Sequence, residues 1–319
     1  IEDQLVFEFQ SDNKYAELMD CGLINDLEDK RRNLFCFLHL TIQEFLAAQD
    51  VVDHMESVES FLSDHIDNPK WHLVIQFVAG LIGDNIKELE KEKNESERSA
   101  AELKKDEGII KAIRKRVHNW LPKDGKIDEN QELLPIKCVY EMQQAGITEI
   151  MTLLACNDDG RKYDEFLLQN VSIAPMESAA LFEFFSHIKD LRILKIYRCT
   201  MEQSAYRELA SLLKKGNKIK GLTIQYCRMS DNDAKQVIDA LRNENCNVAR
   251  LDLAYENLTA ESTKYLRDTF KSGNCKLTEL NLSGNQLTDV GAEYLSEALK
   301  SGKCKLAKLF LNSSKLEDA

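Results

Sequence analysis

No stretch of this 319-residue sequence offers the roughly 18 to 20 consecutive apolar residues that a membrane-spanning helix needs. The richest apolar patch, Trp71 to Ile82, is interrupted by His72, Gln76 and Gly80. Positive charge is also in short supply: 42 Lys and Arg stand against 54 Asp and Glu, a net charge of −12. Nucleic acid is thereby excluded as the main ligand, because neutralising phosphates takes a basic face. An anionic membrane surface is disfavoured on the same ground. The nine cysteines include no C-x-x-C pair, so zinc and disulfide frameworks lack their spacing, and a reduced, cytoplasmic protein is expected. No G-x-x-x-x-G-K-[ST] loop is present to cradle a phosphate. The six histidines are scattered, and no Ser/His/Asp or metal-ligand spacing stands out, so neither an enzyme nor a metal site is expected. There is no signal peptide and no initiator methionine; the chain opens at Ile1 inside an apolar pattern, which suggests a fragment of something longer.

What the sequence does have is enough apolar residues (43%) for real cores over about two domains, and a period. Leu277-Thr278-Glu279-Leu280-Asn281-Leu282-Ser283-Gly284-Asn285-Gln286-Leu287 fits L-x-x-L-x-L-x-x-N-x-L at every position. Stepping back 29 gives Val248, Leu251, Leu253 and Leu258; another 29 gives Ile219, Leu222, Ile224, Cys227 and Met229. Steps of 28 then reach Leu191, Leu194, Ile196, Cys199 and Met201, and a weaker copy at Phe166, Leu168, Val171 and Ile173. Forward, the pattern restarts at Leu306, Leu309, Leu311 and Leu316.

The alternation L-x-L predicts a short strand with one buried face. Asn285, Cys199 and Cys227 stand where the chain turns, placed to bond backbone groups that the bend leaves open. Asp289, Ala292, Leu295, Ala298 and Leu299 then fall at helical spacing, and Gly302 stands where a left-handed cap ends a helix. A single strand-plus-helix unit cannot bury its apolar face, so neighbours stack into a solenoid. One departure is Glu256, which replaces the expected Asn or Cys and predicts a distorted turn.

Repeats of 28 to 29 residues carrying C-x-L-x-x-L-x-L, as at Cys275-Lys276-Leu277 and Cys304-Lys305-Leu306, resemble the ribonuclease-inhibitor subclass of leucine-rich repeats. That resemblance implies a horseshoe with strands on the concave side, helices outside, and a role in binding proteins. The outward strand positions would form the concave face: Lys195, Tyr197 and Arg198; Thr223, Gln225 and Tyr226; Arg250, Asp252 and Tyr255. Glu279, Asn281 and Ser283, then Lys308 and Phe310, continue it. Tyr and Arg are favoured at binding hot spots, although a solvated strand face with some tyrosines has the same composition. Tyr197, Tyr226 and Tyr255 recur at 29, but the first repeat step is 28, so Tyr197 is not equivalent to the other two.

In the first half, Leu34 to Leu38 predicts a short strand, and Thr41 with Glu44 predicts a capping box opening a helix whose stripe is Phe45, Ala48 and Val52. The string Phe37-Leu38-His39-Leu40-Thr41-Ile42-Gln43-Glu44-Phe45-Leu46-Ala47-Ala48 closely resembles the F-x-H-x-[ST]-x-Q-E-F-x-A-A signature of NOD-like receptors. Trp71 through Leu81 and Leu133 to Gln143 are similar to two later helices of that family. The resemblance implies an α/β protein with an all-helical N-terminal part followed by a curved repeat solenoid. Residues 1–39 would close a winged-helix domain, 40–158 would be the second helical domain of the NACHT module, and 159–319 the repeats, about five and a half of them. It also implies that His39 contacts the phosphates of bound ADP, that ADP and ATP are cofactors of the full-length receptor rather than of these residues, and that the receptor oligomerises when activated. Its partners would be proteins or microbial ligands on the repeats, and its own NACHT module in an autoinhibited state. Read from the residues alone, His39 is better taken as a satisfied junction histidine just before a helix N-cap. Lys87 to Glu107 has 14 charged residues of 21 with alternating sign, which suits a solvated helix face or a flexible insertion. Alternatives for the whole are a leucine-rich-repeat scaffold or inhibitor, and a GTPase-activating protein, though no rim Arg and Asn are singled out for the latter.

Overall fold

The computed structural model describes residues 7–8, 24–26, 34–37, 40–53, 58–65, 68–92, 125–128, 133–142 and 163–314. The chain divides into two compact units, residues 1–112 with 141–146, and residues 113–140 with 147–319.

The first unit is not all helical. Strands β1 (Phe7–Glu8), β2 (Ile24–Asp26) and β3 (Leu34–Phe37) form an antiparallel sheet with β3 in the centre. The expected strand at Leu34 is therefore present, while β1 and β2 are too short to announce themselves by alternation. Helix α1 (Leu40–Asp53) buries Gln43, Ala48 and Val52. Thr41 lies inside that helix rather than at its cap, which requires a non-helical backbone. Phe45 is 41% exposed instead of buried, resting edge-on against Phe77 with centroids 5.6 Å apart. After α2 (Val58–His65), Asn68 accepts a hydrogen bond from the Lys70 amide and Pro69 opens a 3-10 turn ending at Trp71. The Trp71 ring packs on His65 and Phe61, at 4.7 and 5.5 Å. Helix α3 (His72–Glu92) buries Val74, Ile75, Val78, Ala79 and Ile82, an apolar stripe at helical spacing. It takes in residues 87–92 of the charged stretch; residues 93–107 and His39 lie outside the described residues.

The second unit is built on a parallel sheet in the order β12-β11-β10-β9-β7-β5-β4. Its strands are β4 (Lys126–Asp128), β5 (Glu165–Gln169), β7 (Ile193–Tyr197), β9 (Gly221–Gln225), β10 (Arg250–Asp252), β11 (Glu279–Asn281) and β12 (Lys308–Phe310). Phe166 pairs with Leu194, Leu194 with Leu222, Leu222 with Leu251, Leu251 with Leu280, and Leu280 with Leu309. These partners are the 28- and 29-residue steps of the sequence, because each repeat must return its leucine to the same layer. The sheet starts at residue 126, ahead of the first repeat at 159, and α4 (Leu134–Glu141) buries Ile136 and Val139 in the same core. The short pair β6 (Ser172–Ile173) and β8 (Thr200–Met201) forms a separate two-stranded sheet past the turns.

Helices α5 (Pro175–His187), α6 (Gln203–Lys214), α7 (Asp231–Ala240), α8 (Ala260–Ser272) and α9 (Thr288–Lys300) follow the successive strands and pack in sequence order. Where the repeat pattern is weakest, Phe166 compensates with bulk: it is fully buried against Tyr163, Phe184 and Phe185. In α9, Leu295 and Ala298 are buried, whereas Leu299, expected in the stripe, is 48% exposed. Gly302 follows the last helical turn at φ 69°, the left-handed conformation its sequence position predicted.

The start of α8 is tied to the preceding repeat. Thr259 Oγ1 accepts from the Glu261 amide and donates to Asp231, and the Ser262 hydroxyl donates to the same carboxylate. Burial opposes ionisation of Asp231, but the hydrogen bonds from Ser262 and Thr259 outweigh it and hold its pKa below the ordinary value. Thr259→Ala removes one cap and one of these donors. It is expected to lower stability by about 1–2 kcal/mol in urea unfolding, and an unchanged midpoint would refute the tie.

Candidate functional site: the open face of the sheet

At the end of each repeat strand the chain turns through a left-handed residue, followed two positions later by a second, Arg228 or Asn257, after β9 and β10. The first of each turn are Asn170, Arg198, Tyr226, Tyr255, Gly284 and Ser313, with φ of 57°, 53°, 58°, 61°, 71° and 57°. The next residue points inward, and in the later repeats its side chain bonds backbone groups of the repeat before it. Asn285, 1% exposed, accepts from the amides of Glu256 and Leu258 and donates to the carbonyls of Leu253 and Leu282. One repeat later the Ser314 hydroxyl donates to the Leu282 carbonyl. Cys199 donates to Tyr197 O, and Cys227 to Gln225 O, by weaker thiol bonds.

Glu256 does not distort its turn. Fully buried, it accepts the Cys227 amide on one oxygen at 2.8 Å and the Met229 amide on the other at 2.7 Å. These are the amides that Asn285 takes one repeat on, so the longer carboxylate reproduces the asparagine's acceptor role with two oxygens in place of one. Burial raises the Glu256 pKa above the usual carboxylate range, and the two amide bonds only partly offset it.

On the face of the sheet away from the helices, the predicted partner-binding positions fall in rows across neighbouring strands. Glu279 and Lys308 lie beside Arg250, with Lys308 bonded to Glu279 at 3.4 Å. In the next row are Lys195, Thr223, Asp252, Asn281 and Phe310. Several of these satisfy one another: Lys195 pairs with Glu165, and Asn281 donates to Asp252. Phe310 stays 40% exposed. Ser283, expected on this face, is buried at 7%, its amide bonded to the Asn281 side chain and its carbonyl to the Tyr255 amide. Gln225 and Tyr197 are half-buried beside each other in register.

The left-handed row is the exposed feature of the face. Tyr226 and Tyr255 are 41% and 46% exposed, and their rings stack at 4.8 Å with planes 7° apart. Tyr197 meets Tyr226 edge-on at 5.4 Å, and the Arg198 guanidinium lies over both rings, at 5.2 and 5.7 Å. At the other end Gly284 leaves room for the Tyr255 ring, which would stand 2.3 Å from a Cβ there. As the 28-residue step predicted, Arg198 rather than Tyr197 is the counterpart of Tyr226.

Sequence reasoning missed two cations at the strand starts, Arg192 and Lys220, the second of which lines one recess with Arg250 and Glu279. Both are exposed, one residue before β7 and β9, and the signal was available in their 28-residue spacing. Burial pushes Cys227 up to about 12 and Cys275 up to about 11, so both stay thiols near neutral pH. Among the described residues no His, Cys, Asp and Glu group is placed to hold a metal, and no helix is long and apolar enough to cross a membrane.

No curated protein matches the chain. The family model described as leucine-rich repeat matches residues 273–296, which span β11 and the start of α9, the repeat whose eleven-residue motif has no departure.

Proposed function

We propose that this chain is the partner-binding and regulatory region of a nucleotide-controlled receptor, with the Arg198–Tyr226–Tyr255 row as its principal contact surface. The observation that carries the binding surface is backbone cost. A left-handed residue is cheapest as Gly or Asn, as at Gly284 and Asn170, yet two tyrosines and an arginine occupy the three positions between them. Each side chain in that conformation costs on the order of 1 kcal/mol, and none contributes to the buried core in return. Large, rigid, half-exposed rings and a guanidinium are the side chains that dominate protein interfaces.

The receptor reading rests on the likeness of residues 37–48 to the NOD-like signature and on their position ahead of the repeats. In it, ADP bound by the full-length cytoplasmic receptor, with His39 on its phosphates, holds a closed state. A ligand on the repeats that prefers the open state shifts the population toward exchange and oligomerisation. The chain itself turns over no substrate.

The two parts have separate tests. Tyr226→Asn with Tyr255→Asn should leave the unfolding midpoint within about 1 kcal/mol of the parent, since Asn accepts the left-handed backbone. The same variant should lose at least about tenfold in affinity for a natural partner; full retention removes the surface from consideration. For the receptor reading, the full-length protein is expressed with and without residues 159–319. Equal resting signalling from both forms would sink autoinhibition.

A further inference from the structure

The three strands that end in the Arg198–Tyr226–Tyr255 row each carry an exposed cation at their start. Arg192 precedes β7 and Lys220 holds the same register before β9; Ala249 takes that place before β10, and Arg250, one residue further on, opens the strand. They are adjacent through the backbone: the amides of Lys220 and Gly221 donate to Arg192 O, and those of Ala249 and Arg250 donate to Lys220 O. Nearby lysines are matched, Lys218 with Asp190, Lys195 with Glu165 and Lys308 with Glu279. Among the described residues, Arg192, Lys220 and Arg250 form no ion pair. Arg250 makes no ion pair with Glu279, its register partner, and lies over Gly221, where a Cβ would stand 3.5 Å from its Nη2. A glycine inside a strand is unfavourable unless something must come close, and here it is the guanidinium. The flanking repeats lack the pattern: Asp164 and Asn170 bound one side, Thr278 and Gly284 the other.

Uncompensated cations side by side are out of place on a chain of net charge −12 unless something anionic covers them. We propose that these three repeats bind an extended acidic segment of a partner protein. Its carboxylates would lie on Arg192, Lys220 and Arg250, and an aromatic or apolar side chain would rest on Tyr226 and Tyr255, about 16–20 Å away along the strands. The guanidiniums suit carboxylates because their planar fork matches two oxygens at once, while Lys220 contributes a point charge between them. The acidic remainder of the chain repels such a segment elsewhere and fixes its place. This inference rests on the reading of the open face as the binding surface, and adds the chemistry of what it binds.

The test uses the whole chain and a fluorescein-labelled peptide of three glutamates, a five-residue Gly/Ser spacer and two phenylalanines, read by anisotropy. The control peptide has lysines in place of the glutamates. The expected result is binding of the glutamate peptide at least about tenfold tighter than the control, weakening several-fold when NaCl rises from about 50 to about 300 mM. Arg192→Glu with Arg250→Glu is expected to weaken it about tenfold or more with an unchanged unfolding midpoint, and Lys220→Glu in the same direction. Equal affinity for the two peptides, or indifference to the charge reversals, overturns the proposal. Displacement by about 10 mM inorganic phosphate at constant ionic strength does so too, since it makes the cations a phosphate site. Loss of a natural partner on Tyr226→Asn with Tyr255→Asn, but not on charge reversal, would leave the binding surface standing and remove only its acidic occupant.

Discussion

Replacing Asn285 by alanine is expected to cost about 3–5 kcal/mol of stability, far more than its one small side chain would suggest. The Asn285 side chain holds two amides and two carbonyls, all at positions closed to water. Alanine leaves three of them without this partner, while the Leu282 carbonyl keeps the Ser314 hydroxyl. A single unsatisfied buried group costs about 1–3 kcal/mol, and water entering the gap recovers part of the sum. The chain itself supplies the graded controls. Cys199 and Cys227 occupy the same place in earlier repeats with only thiol bonds, so Asn285→Cys should lose roughly half as much as alanine. Because stacked repeats couple mainly to their neighbours, the loss should appear as earlier unfolding of the repeats around β11. Amide hydrogen exchange resolves this: Glu256 and Leu258 should lose protection first, and uniform loss along the array would contradict the ladder.

The same ladder explains what could be read from the sequence. Leucines at steps of 28 and 29 are legible because burial repeats with the chain, and those from Leu194 to Leu309 pair in the expected register, while Leu316 lies outside the described residues. The inequivalence of Tyr197 followed from counting alone. What counting could not supply is lateral chemistry. A carboxylate at position 256 looked like a fault in a turn, since a motif records residue types and not the reach of an extra methylene. Ser283 looked exposed because alternation assigns it outward, but it is buried beside the neighbouring repeat, whose Tyr255 amide its carbonyl accepts. Arg192 and Lys220 sit one residue outside the strands and so fell outside the motif, although their spacing was plain. In the first unit, β1 and β2 span two and three residues, too few for a period of two to show.

Glu256 makes the second large prediction, one with a definite sign in pH. Alanine there strands the amides of Cys227 and Met229 and opens a cavity, an expected loss of about 3–4 kcal/mol. Asparagine should do the opposite at neutral pH. It accepts both amides on one oxygen, as Asn285 does, and removes a charge that no cation faces among the described residues. Gln is the poorer choice, because its amide group presents N–H to one of the two amides it must satisfy. The pKa of Glu256 is raised in the folded chain, so its contribution to stability is fully present below the unfolded pKa, near 4.3, and is lost as pH rises through the higher folded value. The gap between parent and Glu256→Asn should therefore be widest at neutral pH, with the variant the more stable by about 1 kcal/mol, and should close as pH falls toward 4. Urea midpoints of both proteins at matched pH values measure it. A gap that stays constant with pH would mean that Glu256 carries no buried charge, and a gap that widens on acidification would reverse the sign of its coupling to folding.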